Sequence, residues 1–163
     1  MLLLICTRLF HNMQSHDNLT TPYKLLNWIQ KDKLNYDNLS LNHKAVHLLE
    51  QNPDKINWKK LSQNPNAIHL LEQNVDKIEW MDLSANPNAI HLLQKNIDKI
   101  DWDVLSGNPN AIHLLEQNQD KIDWRTLSEN PNAIHLLEKN QDKVDSRHFA
   151  DILVQHNRMW YLL

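Results

Sequence analysis

One phrase repeats through this chain at a fixed step. Leu61, Leu83, Leu105 and Leu127 each open a copy of Leu-Ser-x-Asn-Pro-Asn-Ala-Ile-His-Leu-Leu, and successive copies begin 22 residues apart (83 − 61 = 22). A strict period of this length constrains the fold more than any other feature, because one such unit is too small to bury an apolar face alone and must stack on its neighbours in a solenoid. Full units fall at 61–82, 83–104, 105–126 and 127–148. A looser fifth unit, 39–60, has Asn42-His43-Lys44-Ala45-Val46 in place of Asn-Pro-Asn-Ala-Ile. The flanks read as caps. Residues 1–38 hold an N-terminal arm and a degenerate copy, with Leu34, Tyr36 and Leu39 one period before Ile56, Trp58 and Leu61, and residues 149–163 read as a C-terminal capping helix.

Within unit 61–82, Asn64 before Pro65 combines a favoured N-cap with a residue favoured at the first helical position. These preferences predict a helix of about ten residues from Pro65, since Ala67, Ile68, Leu70 and Leu71 share one sector at 100° per residue while Asn66, His69, Glu72 and Gln73 cover the other. Asn74 is placed to end it in the left-handed region. A second, shorter α or 3-10 turn would follow, capped by Asn57, Asp101 or Asp123 in their units, with Trp80 and Leu83 on its inner face. The expected fold is all-α, an α-solenoid with a longer and a shorter helix per unit. A strand-based leucine-rich repeat fits less well: its motif would place Asn88, Asn110 and Asn132 at a buried apolar position, an uncompensated cost.

Composition narrows the function. The chain has one glycine, Gly107, which disfavours phosphate-binding loops and dinucleotide turns. A formal charge of −3 argues against general nucleic-acid binding. Cys6 is the only cysteine, so no intrachain disulfide forms and a reducing, cytoplasmic setting is expected. The apolar start, Met1 to Ile5, lacks the basic flank and length of a signal peptide, and no other run approaches a membrane span. Almost every His, Asp and Ser recurs once per unit, so no unique convergent set of catalytic groups is apparent; no enzyme activity, cofactor or metal is expected.

Units of the form Leu-Ser-x-Asn-Pro-Asn-Ala-Ile-x-Leu-Leu…Asn-x-Asp-Lys-Ile-x-Trp resemble tandem repeats of uncharacterised proteins encoded by large DNA viruses of protists and algae. The likeness covers 61–148, with the looser copy at 39–60. The alternation of helices is also similar, more weakly, to leucine-rich repeat variant proteins. The resemblance implies an α-solenoid acting inside a host cell and transfers no catalytic residues.

Three columns stand out. His47, His69, His91, His113 and His135 lie one per unit on the polar helix face. Stacked helices ~8–10 Å apart hold them too far apart to share a zinc ion with ~2.0–2.1 Å bonds, so they read as surface histidines beside Glu72 or Gln73 in their own helix, or as an edge that gains like charges on acidification. Trp58, Trp80, Trp102 and Trp124 read as packing residues rather than a base-stacking row. Asp76-Lys77 and its copies read as a solvated face. Variation between units is the better guide to recognition: Lys59, Met81, Asp103 and Arg125 in one column and Lys60, Asp82, Val104 and Thr126 in the next. These two columns, with the histidine edge, are the candidate surface for a protein partner. The apolar end, Trp160 to Leu163, offers the alternative of self-association.

Overall fold

The computed structural model describes residues 29–144. Among these the regular elements are all helical: ten short α-helices and six 3-10 turns. The helices are α1 (Tyr36–Leu41), α2 (Val46–Glu50), α3 (Trp58–Ser62), α4 (Ile68–Glu72), α5 (Trp80–Ser84), α6 (Ile90–Gln94), α7 (Trp102–Ser106), α8 (Ile112–Gln117), α9 (Trp124–Ser128) and α10 (Ile134–Lys139). A 3-10 turn follows each even-numbered helix: Pro53–Lys55, Val75–Lys77, Ile97–Lys99, Gln119–Lys121 and Gln141–Lys143. Two α-helices and one 3-10 turn make a layer, and five layers stack. The odd-numbered helices pack on one another in sequence. This is the α-solenoid that the period predicts.

The capping residues of the odd helices act as expected. Asn57, Asp101 and Asp123 accept the amides of Lys60, Val104 and Thr126 at 3.1, 3.1 and 2.6 Å. Glu79 makes no side-chain cap.

The even helices are shorter than expected. The helix from Pro65 begins only at Ile68, because Asn64 to Ala67 is a β-turn: the Ala67 amide donates to the Asn64 carbonyl at 3.1 Å, and the Asn66 amide donates to Asn64 Oδ1 at 3.0 Å. Asn at the first corner and Pro at the second are favoured in such a turn as strongly as at a helix start, so local preference did not separate the two. Nor is Asn74 left-handed; its φ is −137°, and its side chain closes the helix by donating to the Leu70 carbonyl at 2.9 Å.

Helices of five or six residues do not persist alone. One continuous core holds them. Leu61, Leu83, Leu105 and Leu127 of the odd helices and Leu71, Leu93, Leu115 and Leu137 of the even helices are fully buried, with Ala67, Ala89, Ala111 and Ala133 between them. Burying each leucine contributes roughly 1.5–3 kcal/mol.

Candidate interaction surfaces

The strongly repeated polar residues bind layer to layer. Ser62, Ser84 and Ser106 are buried, and each hydroxyl has two partners. It donates to the tryptophan carbonyl one helical turn back, at 2.8–2.9 Å. It also accepts the amide of Glu79, Asp101 or Asp123 from the next layer, at 3.1 Å. The serine carbonyl is used as well: the side-chain amides of Asn86, Asn108 and Asn130 donate to Ser62, Ser84 and Ser106 at 2.9, 2.9 and 3.0 Å. Outside them, Asn88, Asn110 and Asn132 donate to the carbonyls of Pro65, Pro87 and Pro109. Every buried side-chain nitrogen and oxygen among the described residues has a partner. The inner asparagines are therefore bolts between layers rather than helix caps, and the serine column, singled out by nothing in the sequence beyond its recurrence, is their anchor.

The histidines also reach across layers. His69, His91 and His135 place Nε2 at 2.8, 2.8 and 2.7 Å from Glu50, Glu72 and Glu116, each 19 residues earlier, and not beside the Glu of their own helix. At His113 the residue 19 earlier is Gln94, and the rung is missing. His113 turns to its own helix, with Nε2 at 3.1 Å from Gln117 Nε2 and Nδ1 at 3.8 Å from Glu116. Glu116 thus faces two imidazoles, and its hydrogen bond with His135 is the main reason that its carboxyl titrates below the usual glutamate value.

Each repeated lysine lies on an aromatic ring. Nζ of Lys55 is 4.7 Å from the Tyr36 centroid, and Lys77, Lys99, Lys121 and Lys143 lie 4.8, 5.3, 4.8 and 4.8 Å from Trp58, Trp80, Trp102 and Trp124. The edge read as a simple solvated face carries a cation–π ladder. The tryptophans are half-buried against the core, as packing residues should be.

The two variable columns separate. Lys59, Met81, Asp103 and Arg125 are exposed, Met81 at 59%. Lys60, Asp82, Val104 and Thr126 are half-buried, and Lys60, Asp82 and Thr126 face the layer before. Lys60 pairs with Asp37 at 3.8 Å, Asp82 accepts from Gln63 at 2.6 Å, and the Thr126 methyl lies 3.2 Å from where a side chain on Gly107 would begin. A groove of about 310 Å³ opens beside Glu50, Ile56, Trp58 and His69, but its Glu50–His69 rim is already paired.

Among the described residues no His, Cys, Asp and Glu cluster could hold a metal ion, and no helix is long and apolar enough to cross a membrane. Residues 145–163, with the apolar end considered for self-association, lie outside the described residues, as do 1–28. No family model, curated protein or solved structure matches the chain.

Proposed function

We propose that this chain is a non-enzymatic repeat scaffold that binds another protein through the outer face of helices α3, α5, α7 and α9. One observation carries the reading. The invariant serines and the asparagines of the Asn-Pro-Asn turns are engaged between layers, whereas the exposed column Lys59, Met81, Asp103, Arg125 changes chemistry from layer to layer on a constant backbone. A large thioether side chain left 59% exposed between charged neighbours suits a contact surface, because methionine adapts its shape to apolar partners. Lys60, Asp82, Val104 and Thr126 serve as its base, fixing the spacing of the exposed column. His69, His91 and His135 are taken up by inter-layer bonds, which makes the histidine edge secondary to recognition.

A single-strand-binding array is less well supported. The ring faces on which bases would stack carry the lysines of the next period.

The test is an affinity capture from cell extract with the wild-type chain and a Met81→Glu, Asp103→Lys, Arg125→Glu variant. These sites are exposed, so the variant should keep its thermal midpoint while losing the captured protein. Equal capture by both refutes this choice of surface. A concentration-dependent rise in mass by light scattering, with no captured protein, would favour the self-assembling alternative.

A further inference from the structure

The four interfaces between the five layers share the serine bolts and the asparagine bond to the serine carbonyl, the last two adding a second asparagine bond, from Asn108 to Asn86 and from Asn130 to Asn108, but they differ at their rims. On the even-helix rim, Glu50–His69, Glu72–His91 and Glu116–His135 join layers one to two, two to three and four to five. On the odd-helix rim, Asp37 receives Asn57 and Lys60 between layers one and two, and Asp82 receives Gln63 between layers two and three. Between layers three and four both rims lack these bonds. Gln94 stands where the glutamate would be, and Ala85 and Val104 stand where Gln63 and Asp82 form their bond. The interior there is intact, since the Asp101 amide still donates to Ser84 and Asn108 to Ser84 and Asn86.

We infer that the interface between layers three and four is a built-in seam, at which the solenoid opens and bends in preference to its neighbours. Stability in a stacked array is close to a sum of unit and nearest-neighbour terms, so an interface lacking both rim contacts is the one whose local opening costs least. The seam runs between α5 and α7 and hence between Met81 and Asp103. Opening it changes the spacing of the exposed column without disturbing any layer. The inference rests on the rims alone and stands whether or not that column binds a partner.

The amides of Glu79, Asp101 and Asp123 each donate to a serine hydroxyl across one interface, so each reports the opening of that interface. Native-state hydrogen exchange at neutral pH on the full chain reads all three. Gln94→Glu supplies the missing partner for His113 and should slow exchange of the Asp101 amide by about two- to fivefold, the effect of one exposed pair, leaving Glu79 unchanged. Glu72→Gln removes one of the two rim contacts between layers two and three and should speed exchange at Glu79 by a similar factor, and Gln94→Ala should change nothing at Asp101. Both charge variants alter exposed side chains, and far-ultraviolet circular dichroism confirms that the array is folded. No slowing at Asp101 in Gln94→Glu, or equal slowing at all three amides, overturns the seam.

Discussion

The Ser84 hydroxyl joins two layers through two bonds, donating to the Trp80 carbonyl at 2.8 Å and accepting the Asp101 amide at 3.1 Å. The site is fully buried, so no water replaces a lost partner. Ser84→Ala strands the Asp101 N–H, which costs about 1–3 kcal/mol. Urea unfolding followed by circular dichroism should show that loss, and Ser106→Ala should match it within error. A Ser84→Ala chain as stable as wild type would mean that the bond is not formed.

Asn108 is 2% exposed, and its amide group donates to two carbonyls while its oxygen accepts the Asn110 amide. Asn108→Asp removes both donors and places a carboxylate against carbonyl oxygens, a buried unpaired charge costing about 3 kcal/mol or more. Asn110→Asp, at an exposed site, should cost well under half of that. The carboxyl introduced by Asn108→Asp would titrate upward, so the deficit should shrink on acidification as its proton restores one donor. A deficit independent of pH would contradict this geometry.

Lys121 over Trp102 predicts a small, specific contribution. Lys121→Gln should cost about 0.5–1 kcal/mol, against about 3–5 kcal/mol for Trp102→Ala, which also removes core packing. Thermal midpoints of the two variants check the ranking. Equal losses would mean that the ammonium matters as much as the ring.

Glu116 predicts an acid-side effect. Its folded pKa is lowered, chiefly by the hydrogen bond with His135. Its contribution is therefore present above the ordinary glutamate range and is lost as the pH falls through the lowered value, where the folded carboxylate takes up its proton. Wild type and Glu116→Gln should differ in thermal midpoint at pH 6 and converge toward pH 3. The carboxylate is exposed to solvent, so the gap should also narrow in 1 M salt. Parallel curves down to pH 3 would rule out the proposed linkage.

Much of the fold was legible because its causes are local. The 3.6-residue pattern of Ala67, Ile68, Leu70 and Leu71 marks the inner face, and the caps at Asn57, Asp101 and Asp123 act on amides three residues away. Asn64-Pro65 misled for the same reason: a helix start and a β-turn use the same two residues, and only the hydrogen bond from the Ala67 amide to Asn64 distinguishes them. The candidate surface was half legible. Lys59 and Lys60 are adjacent and equally polar in sequence, yet one is exposed and the other pairs with Asp37, 23 residues earlier.

By itself the sequence determined that this chain is a helical stack with a 22-residue step, because each short apolar helix face recurs at that step and is too small to be buried except against the next copy. Only the tertiary structure decided what the polar repeats do. Ser84 meets Asp101 and His91 meets Glu72 across 17 and 19 residues, once the superhelix has turned and brought one layer over another, and Lys99 meets Trp80 across 19 as the turn of a layer closes back on its first helix. That separation is set by the pitch of the stack, which no helical or strand period expresses, and it is also what leaves Gln94 facing His113 without a bond.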